Sequence, residues 1–301
     1  MSKPVVLVHP PLPIFEPQLK DYEVVHWPTD RADAVVTIGS VGVTNEMIER
    51  NPRLRAIVCF GVGVDGVDLA FCKARSVAVS HGRDINHEDV ADVAMGLIIA
   101  TARSFSQGER VLRAGEWKPP LAVPPQRRLR GRKLGIVGMG AIGQAIAARA
   151  EPFGLEVRWT GPRRKPDVKQ PYESDLIALA RWADILAIAA RGEKSTERII
   201  DARVIDALGD DGLLVNISRG SVVDENALIT ALKAGKLGGA GLDVFATEPT
   251  PPERWRDVPN VTLTPHLGGG TREALIMGTT NVLENLRRHF AGEELLTPLE
   301  M

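Results

Sequence analysis

The sequence predicts an α/β protein with two doubly wound parallel sheets, and three observations predict it. A short apolar run at 134–137 passes through Gly138-Met139-Gly140-Ala141-Ile142-Gly143 into a small-residue helical pattern that reaches Phe153, which is the order strand, glycine turn, helix. β-rich runs alternate with helical ones through the first ninety residues, and the alternation resumes from 155 to 264. At 301 residues the chain has room for two domains of ordinary size.

Composition excludes more than it assigns. A net charge of -1, with 44% hydrophobic and 25% charged residues, describes an ordinary globular chain and argues against nucleic-acid or membrane-surface partners. The longest apolar stretches, such as 93–102, are too short to span a bilayer. The opening MSKPVVLVHP lacks a signal-peptide core and cleavage site. The 2 cysteines, Cys59 and Cys72, have no CxxC partner or evident base. The expectation is a cytoplasmic protein whose thiols are small buried hydrophobes.

Taken in order, strands are expected at 5–8, 23–26, 34–38, 55–60 and 77–80, with a helix at 44–51 among them. Phe60-Gly61-Val62-Gly63-Val64-Asp65 follows the fourth strand and lines up small-residue amides; it is either an ordinary βα turn or a loop whose N–H groups hold an anion. A single long helix is expected over 87–114, capped by Asn86 with Asp89 at the capping-box position, as a connector between domains. Residues 118–132, rich in proline and then in arginine, read as an extended, solvated surface segment.

At the glycine turn each glycine has a reason. Gly138 permits the turn, Gly140 admits close approach of a pyrophosphate, and Gly143 lets the helix pack on its strand. The helix N-terminus offers free N–H groups and a positive dipole end, so Gly138, Met139, Gly140, Ala141, Ile142 and Gly143 are expected against a dinucleotide. The strand at 155–160 ends at Thr160, where NAD-specific folds place an acid for the ribose hydroxyls, and no acid is present. Arg163 and Arg164 follow instead, forked donors suited to a 2′-phosphate, although a charged surface loop would read the same way. The expected cofactor is NADPH/NADP, with NADH weaker. Strands at 184–189, 213–217, 239–244 and 261–264 complete the second sheet; Asp224 caps a helix at 225–234, and a helical tail runs over 271–290.

Three strand ends carry polar groups: Ser218-Arg219-Gly220, Phe245-Ala246-Thr247-Glu248-Pro249 and Pro265-His266-Leu267-Gly268-Gly269. Singly, each has a structural explanation, as a loop cation, a helix-flanking acid and a packed histidine. Together they lie at the edge where open α/β sheets bind ligands.

The set and its order resemble the D-isomer-specific 2-hydroxyacid dehydrogenase family over nearly the whole chain. The resembling segments are GIVGMGAIG (135–143), VNISRGSVVDENAL (215–228), GAGLDVFATEP (239–249) and TPHLGG (264–269), with VGVDGVD (62–68) and EDVADVAMGL (88–97) upstream. The resemblance implies two Rossmann-like domains with a ligand cleft between them. Residues 1–96 and 271–301 would form a flavodoxin-like substrate domain, and 97–270 the dinucleotide domain. It implies a catalytic trio of Arg219, Glu248 and His266, and a substrate carboxylate on the amides of Val62 and Gly63 as well as on Arg219. Nicotinamide contacts would come from Asp243 and the Ile217 carbonyl, further cofactor contacts from Ala190, Thr196, His266 and Gly268, and the assembly would be a homodimer. The TGPRR segment and modest length are most similar to the NADPH-using glyoxylate/hydroxypyruvate reductase branch. The chain departs from the family at Ala189-Ala190-Arg191-Gly192-Glu193, where members carry a proline-containing segment, and it lacks the C-terminal regulatory region of many phosphoglycerate dehydrogenases.

The implied chemistry is reduction of a small-molecule 2-oxo acid. Hydride goes to C2, charge grows on the carbonyl oxygen, His266 supplies the proton while Glu248 orients it, and Arg219 holds carboxylate and carbonyl. No metal is required. Two other readings stay open: a dinucleotide-sensing, corepressor-like binding protein of the same fold, and a dehydrogenase for a larger 2-oxo acid. His9, His26, His81, His87 and His289 match no catalytic motif and are expected to be structural or surface residues.

Overall fold

A computed structural model describes residues 3–121 and 123–300. They form two compact units, one holding the chain up to Asn86 and again from Gly270, the other spanning His87–Gly269.

In the first unit the strands are β1 (Val5–His9), β2 (Glu23–Val25), β3 (Ala34–Ile38), β4 (Ala56–Phe60) and β5 (Ala78–Ser80), joined in part by α1 (Asn45–Arg50) and α2 (Leu69–Ala74). All pairs are parallel, in the order β2-β1-β3-β4-β5, which is the flavodoxin-like order. The central strands are continuous apolar runs because both faces are covered. Leu7, Val35 and Ile57 pack against α1 and α2 on one face, while Val8, Val36 and Val58 meet Val282 and Leu286 on the other. Thr44 and Asp68 cap α1 and α2 by accepting from the amides of Met47 and Phe71. Cys59 and Cys72 are fully buried here, and burial pushes their thiols up to about 12 and about 11.

In the second unit α3 (His87–Ala102) and α4 (Phe105–Arg113) precede β6 (Lys133–Val137), α5 (Ala141–Ala150), β7 (Glu156–Thr160), α6 (Leu176–Trp182) and β8 (Ile185–Ile188). The chain continues through α7 (Ala202–Leu208), β9 (Leu213–Asn216), α8 (Glu225–Lys233), β10 (Gly239–Leu242), α9 (Pro252–Trp255) and β11 (Val261–Leu263). The sheet is parallel, in the order β11-β10-β9-β8-β6-β7. Order reverses between β6 and β8, and ligands bind outside the carboxyl ends of strands at such a switch point. Ile136 and Val215 face α3 and α5, whereas Leu186, Ile188 and Leu214 face the layer of α6, α7 and α8. The chain then returns to the first unit as α10 (Arg272–Ala291), capped by Thr271, and packs on β4.

Four expectations differ from the structure. The helix over 87–114 is two helices, because Ser104 takes left-handed angles (φ 51°, ψ 43°) and ends the first; α3 is gripped by apolar neighbours, while α4 buries only Val111. Asn86 does not cap α3 through its side-chain oxygen, which is buried with no hydrogen-bond partner among the described residues. The basic run is not wholly a solvated face. Arg127 pairs with Asp211, and Arg132, 7% exposed, donates to the Asp211 carbonyl at 3.3 Å, burial holding its pKa down. The division between units falls at 86/87 and 269/270, against the 96/97 and 270/271 expected, since all of α3 packs on α5, β9 and β10.

Candidate active site

The glycine turn lies at the switch point. Gly138 has φ +97°, its amide donates to the Thr160 carbonyl at 2.9 Å, and a Cβ there would stand 2.7 Å from the Ala190 backbone. A Cβ on Gly143 would meet the Gly138 carbonyl oxygen at 2.1 Å, so the helix touches the turn only because residue 143 is glycine. Gly140 caps α5 and faces open space, with nothing within 4 Å of where a Cβ would be. The first amides of α5, those of Ala141, Ile142 and Gly143, have no intrahelical acceptor. The turn thus leaves an open, electropositive cradle that fits a pyrophosphate. Met139 is buried and its carbonyl accepts from Lys165 Nζ at 2.7 Å. Thr160 is buried at the end of β7, and Arg163 and Arg164 are exposed beyond it.

Beside the cradle, the 189–196 loop is shaped by its own polar groups. Thr196 Oγ1 donates to the carbonyls of Arg191 and Glu193 and accepts from the Glu193 amide, so Thr196 staples this loop. Gly192 lies against Arg219: a Cβ there would be 2.5 Å from Arg219 Cγ. The departure from the family pattern therefore sits against the candidate arginine.

Arg219 is aimed by an Asx turn that the sequence reading did not single out. Asn216, at the end of β9, accepts from the Ser218 amide at 3.1 Å and donates to the Arg219 carbonyl at 2.9 Å. Arg219 itself is half-buried, and its Nη1 donates to the Ser218 carbonyl at 2.7 Å. The next residue must be glycine, because a Cβ on Gly220 would lie 1.8 Å from the carbonyl carbon of Phe245. That approach sets the Arg219 turn against the loop carrying Glu248.

Glu248 and His266 form a dyad. Glu248 Oε1 accepts from the Phe245 amide at 2.9 Å and Oε2 from His266 Nδ1 at 2.6 Å. A carboxylate only accepts, so Nδ1 carries the proton and Nε2 is the ring nitrogen left for other work. Both side chains are partly exposed, at 40% for His266 and 34% for Glu248.

The backbone of His266 has φ +52°, a left-handed conformation that costs a non-glycine residue energy and persists only when its surroundings impose it. Asp243 imposes it. Its carbonyl accepts from the His266 amide at 2.8 Å, and its buried carboxylate accepts from Thr264 Oγ1, the Leu267 amide and the Gly268 amide at 2.6, 2.7 and 2.8 Å. Asp243, Gly268 and His266 are thus one assembly, while Ile217 is buried at the end of β9. Val62 and Gly63 belong to the other unit, in the loop after β4.

Residues 95–268 match the family described as D-isomer specific 2-hydroxyacid dehydrogenase, NAD binding domain. The chain belongs to this family of dehydrogenases. Glyoxylate/hydroxypyruvate reductase A of Arabidopsis thaliana is 42% identical over 88% of this chain and 85% of its own length. The 2-ketogluconate reductase of Gluconobacter oxydans is 37% identical over 99% of each. The crystal structure of the NADPH-dependent glyoxylate/hydroxypyruvate reductase of Sinorhizobium meliloti with NADP and malonate aligns with a TM-score of 0.93 at 34% identity, covering 99% of this chain and 97% of that one. For a 2-hydroxyacid dehydrogenase, the residues missed in the sequence are those that aim others. Asn216 was legible as the start of an Asn-x-Ser-Arg turn; Lys165 stood in the basic cluster after Thr160 and Gly192 in the departing segment, but nothing in the spacing showed that they reach Met139 and Arg219.

Proposed function

We propose that the protein reduces a small 2-oxo acid, of the glyoxylate or hydroxypyruvate kind, to the D-2-hydroxy acid with NADPH. The observation that carries this reading is the Glu248–His266 hydrogen bond of 2.6 Å, on the same sheet edge as Arg219 and the glycine cradle. The nicotinamide, when bound, supplies the hydride. Every other task falls to the chain. Arg219 neutralises the substrate carboxylate and polarises the C2 carbonyl, and the amides of Val62 and Gly63 hold the carboxylate. As negative charge grows on the C2 oxygen, His266 delivers a proton from Nε2 while Glu248 keeps Nδ1–H fixed and balances the imidazolium.

The cradle of Gly138, Met139, Gly140, Ala141, Ile142 and Gly143 holds the pyrophosphate. Thr160, Arg163 and Arg164 take the adenosine end and favour its 2′-phosphate. The Ile217 carbonyl and Asp243 are assigned the nicotinamide, and Ala190, Thr196, His266 and Gly268 further contacts to the cofactor, on the family resemblance. The 2-ketogluconate and hydroxyphenylpyruvate reductases among the relatives act, by name, on larger 2-oxo acids, so the length of substrate accepted is the open variable.

A homodimer in the cytoplasm is part of the same proposal. Phe105, Leu112, Trp117 and Leu121 lie close together in sequence and are each more than half exposed, apolar area suited to a second copy. No helix among the described residues is long and apolar enough to cross a membrane. The deciding assay is loss of NADPH absorbance on adding glyoxylate, hydroxypyruvate or 2-ketogluconate. No turnover with any of them would overturn the reading, and sedimentation at the monomer mass would remove the dimer.

A further inference from the structure

The loop after β4 presents Val62 and Gly63, and its carbonyls are held from outside the loop. The Gly61 carbonyl accepts from the Gly82 amide at 2.6 Å, and the Val62 carbonyl accepts from His81 Nδ1 at 2.9 Å. In a trans peptide the C=O and N–H bonds point in opposite directions. Drawing both carbonyls toward residues 81–82 therefore turns the N–H groups of Val62 and Gly63 the other way. Neither amide donates to any partner among the described residues. Two successive amides facing one way make an anion-binding nest.

His81 is built to hold that orientation. It is 7% exposed, and because the Val62 carbonyl can only accept, Nδ1 carries the proton. Its backbone is clamped by the C-terminal segment: its amide donates to the Thr297 carbonyl at 3.3 Å, and its carbonyl accepts from Thr297 Oγ1 at 2.6 Å. Thr297 is in turn held by Asn285 of α10, which is fully buried, donates to Thr297 Oγ1 at 3.2 Å and accepts from the Leu296 amide at 3.0 Å.

We propose that His81 is a positioning residue for the substrate carboxylate: its Nδ1–H locks the Val62–Gly63 peptide so that both amides face the anion. This rests on the assignment of Val62 and Gly63 to the substrate under the proposed function. The test pairs kinetics with NADPH and glyoxylate against NMR titration of the Val62 and Gly63 amides with oxalate, an unreactive dicarboxylate. Loss of one hydrogen-bonded lock in His81→Ala raises KM for glyoxylate by about tenfold, with kcat and NADPH affinity within about threefold. His81→Asn, whose Nδ2 falls where Nδ1 stood, restores KM. His81→Leu replaces the alanine variant if circular dichroism shows that variant unfolded.

An unchanged KM in a folded variant lacking the donor overturns the proposal and leaves the reductase reading intact. If the wild type reduces no 2-oxo acid, that reading falls, and the oxalate titration alone decides. Shifts of both amides in wild type and His81→Asn, lost in the donor-less variant, support the lock. No shift in wild type, or equal shifts in all variants, overturns it.

Discussion

Asp243→Asn tests how the His266 turn is held. The carboxylate is 1% exposed and accepts three hydrogen bonds, from a hydroxyl and two backbone amides. An asparagine has one acceptor oxygen, so whichever way it is turned its NH2 faces an amide N–H of Leu267 or Gly268, donor against donor. One charge-assisted bond is lost and a buried N–H is left unsatisfied, about 1.5–3 kcal/mol, and the surviving bonds weaken from charged to neutral acceptors. The sum is a destabilisation of about 2–4 kcal/mol, part of which the turn recovers by letting His266 leave its left-handed conformation. Guanidinium unfolding followed by tryptophan fluorescence measures it, since Trp117, Trp159, Trp182 and Trp255 all lie within His87–Gly269. In the folded fraction kcat falls, because a relaxed turn no longer points His266 along the Glu248 hydrogen bond. A midpoint shift equivalent to less than about 0.5 kcal/mol together with a wild-type kcat would refute the claim that Asp243 imposes the turn.

His266→Ala should lower kcat by a factor on the order of 10²–10⁴ with NADPH binding nearly intact, whereas Arg219→Ala should raise KM and lower kcat together; near-normal turnover in the first would end the proton-donor assignment. Replacing both Arg163 and Arg164 with alanine should raise KM for NADPH about tenfold more than for NADH, at the low end for charge-assisted bonds because both side chains are exposed, and added salt should narrow the gap. Equal use of the two cofactors by the unaltered protein would show these arginines to be a solvated loop. Glu284 accepts from Arg287 and Arg288, which hold its carboxyl down at about 2. Because its folded value lies below the unfolded carboxylate range near ~4.3, its contribution is complete above that range and is lost as pH falls through about 2. Thermal melts of Glu284→Gln should therefore show a shallower acid dependence than wild type; parallel curves would count against the pairing.

Much of this protein was determined by its sequence. Strands buried on both faces must be continuous apolar runs, so AVVTI at 34–38 and LLVN at 213–216 are strands wherever they are placed, and their alternation with helical stretches leaves a parallel sheet as the economical packing. The fingerprint was legible for the same local reason: Gly138 and Gly143 make contacts that no other residue type can make. Local pattern did not reach the groups whose state depends on a distant partner. The break at Ser104 is a single backbone rotation with no apolar signature, and Arg132 is buried because Asp184 and Asp211 come to it from other strand ends. Likewise, His266 takes left-handed angles because Asp243, far behind it in the chain, supplies the acceptors, and a buried carboxylate surrounded by N–H donors exists only after the strands have been brought together.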